Sequence, residues 1–403
     1  MSAPRDQDLL LRCGAATLLK YGVPWRRTRA DLFETEAAIF SRADAATCAT
    51  YFGPDGLLRT ALANKLRLDY GDPAASGGAA LLIEGARTNV CLRNRDLTNA
   101  AWTKVNITPI KDQVGIDGVT NSACRIIATS ANGTCLQTTT VGSSPRAQSA
   151  YIKRVVGAGL IQMTMDNGGT WTTVPTTAAW TRVTIPTQPL ANPTVGFRIV
   201  TQSDSVAIDF VQNENGTYPT SPIATAAAAV TRAADRLVLP IGFPPPAIGG
   251  TLSAYVRFTP LWPLGAASDA LAPGVFVIGG TGAFAVDGKS ALDCFRPSGS
   301  LLWSRIDANS TVPVELGLTL PGAGSLEQLI QLQPTGNLHR LYLELTGGQS
   351  GTSGTLDLAG FPWRESTLTI GDRGNGSDPG QIRVFDLMVA RGAYVTADFA
   401  ALP

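Results

Sequence analysis

The stretch Ile161-Gln162-Met163-Thr164-Met165-Asp166-Asn167-Gly168-Gly169-Thr170-Trp171-Thr172-Thr173-Val174 decides the fold class. Ile161, Met163 and Met165 alternate with Gln162, Thr164 and Asp166, the period of a strand with one dry and one wet face. Asn167-Gly168-Gly169 then supplies residues that tolerate positive φ, so the chain reverses toward Trp171 and Val174 as a hairpin. The same signature recurs nearby. Val195, Phe197 and Ile199 alternate with Gly196 and Arg198, and Val206, Ile208 and Phe210 with Ala207 and Asp209. Further Asn-Gly turns stand at Asn132-Gly133 and Asn215-Gly216. Repeated alternation at short intervals predicts an antiparallel sandwich or jelly roll.

Toward the C-terminus, Leu239 to Gly250 contains Pro240, Pro244, Pro245, Pro246 and Gly249-Gly250, a composition that stiffens the chain and withholds ladder donors. A Pro/Gly linker is therefore expected at 237–250. It would divide a jelly-roll-like domain at 39–236 from a second β-sandwich at 251–403. In the latter, Leu252, Ala254, Val256 and Phe258 alternate with polar neighbours, as do Leu341, Leu343 and Leu345. Strands are also expected at Thr367 to Ile370 and Gln381 to Val389, with a final helical turn at Thr396 to Leu402. No internal repeat of fixed period points to a solenoid, propeller or β-helix.

Residues 1–38 read differently. Gln7 to Tyr21 spaces Leu10, Ala15, Leu18 and Leu19 helically, and Asp31 to Phe40 offers a second short helix, so a partly helical arm is expected. Between them lies Pro24-Trp25-Arg26-Arg27-Thr28-Arg29. Trp25, Arg26, Arg27 and Arg29 are either a solvated loop or a docking element that sets an aromatic anchor and cations on an acidic partner, because Trp and Arg dominate interface hot spots.

Composition narrows the function classes. The 403 residues carry 32 Lys+Arg against 31 Asp+Glu, a formal net charge of +1. A nucleic-acid partner is not expected, since phosphate binding needs many uncompensated cations. Gly 42 and Pro 26 favour short strands and turns, and 44% apolar residues suffice for a sizeable core. Arg5, Asp6 and Asp8 stand where a secretory leader would begin, and no clean apolar span of about 20 residues occurs, so cytosolic synthesis without membrane insertion is expected. Cys13, Cys48, Cys91, Cys124, Cys135 and Cys294 form no CxxC pair, which predicts reduced, mostly buried thiols.

Several blocks carry a family resemblance. Phe40-Ser41-Arg42-Ala43-Asp44-Ala45-Ala46-Thr47 is followed by Tyr51-Phe52-Gly53-Pro54-Asp55-Gly56-Leu57-Leu58-Arg59-Thr60-Ala61. Next come Leu66-Arg67-Leu68-Asp69-Tyr70 and Leu81-Leu82-Ile83-Glu84-Gly85-Ala86-Arg87-Thr88-Asn89, then Asn99-Ala100-Ala101-Trp102-Thr103-Lys104. The set closes on Asp209-Phe210-Val211-Gln212 and Ala229-Val230-Thr231-Arg232-Ala233-Ala234-Asp235. In this order they resemble a domain of bacteriophage tail and fibre virion proteins that is similar to carbohydrate-binding jelly rolls. The part after residue 250 resembles a concanavalin A-type or laminin G-like sandwich. The resemblance implies a virion structural protein, exposed on the particle surface and made in the host bacterial cytoplasm. It also implies a homo-oligomer with a trimer favoured, contacts to other virion proteins through the arm, and attachment to host-surface glycan.

Catalytic signals are sparse. His339 is the single histidine, and neither a GxSxG elbow nor a partner spacing accompanies it. Two acids across a groove would suffice for a glycosidase, a pairing that sequence spacing in a sandwich does not reveal. The expectation is therefore a binding protein, not an enzyme, with no cofactor. Gly371 to Gly380 gathers Asp372, Asn375 and Asp378, which suit either a Ca²⁺-wrapping loop or an ordinary turn. Trp171 and Trp303 are the sugar-stacking candidates, each with core packing as the alternative. A head-surface decoration protein, a polysaccharide-degrading enzyme and a purely structural spacer are the competing readings.

Overall fold

The computed structural model describes residues 40–44, 48–71 and 79–237 throughout, with 255–261, 370 and 382–387. It also describes the backbone of further strands between Gln7 and Arg391. The fold is mainly β and antiparallel. No described residue lies in a helix.

One sandwich occupies the middle of the chain. A five-stranded sheet runs in the order Thr103–Val105, Gly133–Thr138, Thr194–Ile199, Ile161–Thr164, Thr172–Val174. It faces the sheet whose main path is Ile107–Gln113, Ala123–Ala128, Ser205–Asn215, Ser144–Val156, Thr181–Leu190. The chain crosses between the sheets at nearly every turn, as a jelly roll does. The expected hairpin forms, with Ile161 opposite Val174 and Met163 opposite Thr172. Cys135, Ile161, Met163, Val195, Phe197 and Ile199 from one sheet meet Cys124, Ile126, Ala150, Ile152, Val206 and Ile208 from the other in a continuous core. Trp102 is 1% exposed in that core and donates its indole N–H to the Arg93 carbonyl, so it packs.

Phe210 departs from the alternation. A bulge between Ser149 and Tyr151 on the neighbouring strand's register gives Phe210 a φ of 45°. A bulky residue holds that conformation only when its surroundings enforce it. The result is that Val211 and Ile208 stay in the sandwich core while Phe210 joins Phe52, Leu58, Ile116 and Tyr151 in a second cluster on the sheet's other face. Arg95 stacks 4.2 Å from the Phe210 ring and grips Asp209 at 2.7 and 2.9 Å, which anchors the bulge.

Two further antiparallel sheets mix distant parts of the chain. In one, Ile382–Arg391 pairs with Leu252–Pro260 on one side, and on the other with Ala80–Ile83 and Gln7–Arg12. In the other, Arg236–Pro240 lies between Phe40–Ser41 and Thr367–Ile370. Thus the first residues of the expected linker form a strand. The expected helix over Gln7 to Tyr21 is corrected: Gln7–Arg12 and Thr17–Lys20 are strands paired with each other, Leu10 opposite Leu19. The consecutive leucines Leu9-Leu10-Leu11 fit a strand as well as a helix, and the free edge of Ile382–Arg391 supplies hydrogen-bond partners that local propensity ignores. The expected helices at Asp31 to Phe40 and Thr396 to Leu402 lie outside the described residues, except that Phe40 begins a strand.

Candidate functional site

Six charged residues of the resembling blocks, Arg42, Asp44, Arg67, Glu84, Arg232 and Asp235, converge in the interior. Arg67 donates to Glu84 at 2.7 Å and to Asp235, and Arg232 donates to the same Glu84 oxygen at 2.9 Å. Arg42 reaches Asp44 at 2.5 Å and Asp235 at 3.1 Å. Three guanidiniums and three carboxylates are thereby matched out of solvent. Burying ions costs several kcal/mol each unless geometry and further hydrogen bonds compensate, so each member depends on the others. Burial alone would push the Glu84 carboxyl up. The guanidiniums of Arg232 and Arg67 and the Ser221 hydroxyl and amide reverse this and hold it at about 2. Asn89, from the same block, is equally committed: its amide donates to the Val211 and Ile223 carbonyls and its oxygen accepts from the Cys91 and Asn213 amides.

This network clamps one wall of a pocket. Ser221 gives its N–H to Glu84 at 2.8 Å and its hydroxyl at 2.7 Å. Thr220 gives its N–H and hydroxyl to the buried Glu214 at 2.9 and 2.6 Å. Thr50 holds the Pro222 carbonyl at 2.5 Å. The segment Tyr218-Pro219-Thr220-Ser221-Pro222 is thus fixed by two buried carboxylates and two prolines. It borders a half-open pocket of about 460 Å³ at the junction between the central sandwich and the sheet of Ile382–Arg391.

Tyr51, Phe52, Tyr151 and Tyr218 give the pocket aromatic walls, and Asp69, Arg182 and Arg383 give it polar groups. Phe52 and Tyr151 meet at 6.1 Å between ring centroids, tilted by 57°. The bulge at Phe210 supports this wall from behind through the shared cluster. Asp69 accepts the Phe52 and Gly71 amides at 2.8 and 3.0 Å and pairs with Arg383 at 3.1 Å. Burial nevertheless pushes its carboxyl up from the ordinary range. Burial also raises the Tyr218 hydroxyl, against the guanidinium of Arg87, which lies 5.4 Å from its ring. The wall is therefore neutral and apolar on its ring faces, with donors and acceptors at its base. That mixture suits the apolar face and the hydroxyls of a sugar.

The residues expected from sequence fare differently. Trp171 is half-buried on the five-stranded sheet, with the Arg198 guanidinium 4.4 Å from its ring centroid and Gly168 against the indole. Arg198 in turn donates to Gln162 at 2.7 Å, so Trp171 stands in a stacked row away from the pocket residues. Trp303 sits on the strand Leu301–Asp307 opposite Phe295 and Gly317, and its side chain is outside the described residues. The segment with Trp25, Arg26, Arg27 and Arg29 and the loop with Asp372, Asn375 and Asp378 are likewise outside them. His339 lies on Leu338–Leu345 opposite Pro334 and Leu356. Among the described residues no cluster of His, Cys, Asp and Glu could hold a metal, and no helix is long and apolar enough to cross a membrane. Cys48, Cys91, Cys124 and Cys135 are free and buried, and burial pushes their thiols up, Cys91 and Cys135 to about 12.

Sequence reasoning missed the pocket because its residues come from eight separate segments. Tyr51 and Asp69 stood inside the quoted blocks, and Tyr218 follows the noted Asn215-Gly216 turn, but only the fold brings them to Tyr151, Arg182 and Arg383.

No family model and no curated protein matches the chain. Among solved structures it is similar to an endo-1,3-beta-glucanase from Streptomyces sioyaensis, at 14% identity and TM-score 0.30, over 40% of this chain and 72% of that one. It is also similar to the Ruminococcus gnavus IT-sialidase CBM40 bound to alpha2,3 sialyllactose, at 10% identity and TM-score 0.28, over 38% and 82%. Lectin II from Ulex europaeus aligns at 14% identity and TM-score 0.25, over 36% and 74%.

Proposed function

We propose that the chain is a bacteriophage virion structural protein, of a tail fibre or tail-associated appendage, that contributes to attachment by holding host-surface glycan without cleaving it. The family resemblance of the ordered blocks supports the virion part of this reading. The observation that carries the binding part is the preformed pocket with tyrosines at its walls and its bordering segment pinned by Glu84 and Glu214.

The pocket's carboxylates favour binding over hydrolysis. Glu84 is spent on two guanidiniums and Ser221, and Asp69 on two amides and Arg383. A glycosidase needs one acid free to protonate the leaving oxygen and a second carboxylate free to attack or to activate water. A trimer, with the arm docked to other virion proteins, would multiply weak single-site contacts into avidity.

The test is retention of purified chain on immobilised host envelope polysaccharide, with released reducing ends assayed in parallel. Wild-type protein should be retained, Tyr218→Ala should lose at least tenfold in affinity, and no reducing ends should appear. Reducing ends released by wild type would replace attachment with cleavage. Imaging intact particles should locate the protein on the tail, and density on the capsid alone would favour the head-decoration reading.

A further inference from the structure

Asp69 and Glu84 line the pocket with Arg182 and Arg383, but Glu84 is already matched by guanidiniums behind the wall, which leaves Arg182 without a carboxylate among the described residues. Asp69 is matched by Arg383, and Glu84 by Arg67 and Arg232 within a network whose charges sum to zero. Glu214 lies behind the wall, where Thr220 and Gln212 occupy it. Arg182 lines the pocket and pairs with no carboxylate among the described residues. Only its Nη2 is bonded there, to the Thr220 carbonyl and to Ser149 Oγ at 3.2 Å, and its Nε is buried with no partner. Its guanidinium lies 5.8 Å from the Tyr151 ring centroid.

A guanidinium fixed by a backbone carbonyl, backed by an aromatic ring and lacking a counter-ion is prepared for a planar anion from outside. The second guanidinium near this wall, Arg87, stacks on Tyr218 and likewise pairs with no carboxylate among the described residues. Against these two guanidiniums stands one carboxylate without a cation among the described residues, Glu214 behind the wall, so the local balance is positive by one charge, and Arg182 is the surplus guanidinium that lines the pocket. We infer that the pocket selects an acidic saccharide, with a sugar carboxylate on Arg182 and the ring against Tyr151 and Tyr218. This rests on the glycan-binding reading above and adds the charge class of the ligand.

The experiment is an array of uronic-acid, sialic-acid and neutral oligosaccharides probed with the full chain, followed by titration of trigalacturonate and its neutral methyl ester. Wild type should bind acidic members and prefer the free acid over the ester by at least tenfold, the preference shrinking as salt rises. Arg182→Gln should erase the preference and Arg182→Lys should keep part of it, both with an unchanged melting temperature. Equal binding of acidic and neutral sugars would overturn the inference and leave glycan binding standing. Absence of signal for any saccharide would overturn both.

Discussion

Glu84 is the residue on which most depends. It accepts from Arg67, Arg232 and two groups of Ser221, so one carboxylate ties two guanidiniums distant from each other in sequence to the pocket wall at Ser221. Glu84→Gln removes one charge while leaving two buried guanidiniums facing it, and breaking such a pair costs about 3–5 kcal/mol. A denaturant melt should register that loss, and a change below about 1 kcal/mol would contradict the network's role. The pH dependence has a definite sign. The folded-state pKa of Glu84 is depressed to about 2 from 4.5, so its contribution is present above pH 4.5 and fades as pH falls toward 2. Asp69 acts oppositely, because its raised pKa makes ionisation costly in the folded state, and it offsets part of the acid loss. Wild type should therefore lose stability on acidification below about pH 4.5, and Glu84→Gln should lose less over the same interval.

At the scale of elements, alternation was legible where each strand kept a regular register. The hairpin at 161–174 and the strand Thr194–Ile199 follow it residue by residue, because a slip by one would turn Met163 or Phe197 out of the core. Alternation was misleading at Phe210, where a bulge moves one aromatic side chain to the opposite face, and helical spacing was misleading at Gln7 to Arg12, where a distant strand edge decides the conformation. Neither cause is local, so neither shows in the sequence. Gly196 offers a direct test of the close strand approach. A Cβ there would meet the Cys135 carbonyl oxygen at 2.1 Å, in the middle of the five-stranded sheet. Gly196→Ala should lower stability by about 1–3 kcal/mol, as overpacking does, and a melt unchanged from wild type would refute the register.

For the whole molecule, much of the charge in the ordered blocks is spent on the interior. Arg42, Arg67, Glu84, Arg232 and Asp235 are each essentially unexposed, which explains why a recognisable pattern pointed to the fold while saying little about the ligand. The ligand side is carried by tyrosines and arginines scattered through the chain and assembled only by the packing of sheets. The N-terminal residues bear on shape too. Gln7–Arg12 covers the edge of Ile382–Arg391 over Asp386 to Ala390, and removing it would bare unpaired backbone groups ready to recruit another chain. Deletion of residues 1–24 should lower the melting temperature and shift the protein to larger species in size-exclusion chromatography. A truncated chain with unaltered melting and elution would refute that pairing. The most direct measurement of the central claim is a side-by-side binding isotherm on host surface polysaccharide for wild type, Tyr218→Ala and Trp171→Ala. The account predicts that Tyr218→Ala loses at least tenfold while Trp171→Ala stays within about twofold. Undiminished binding by Tyr218→Ala would contradict it.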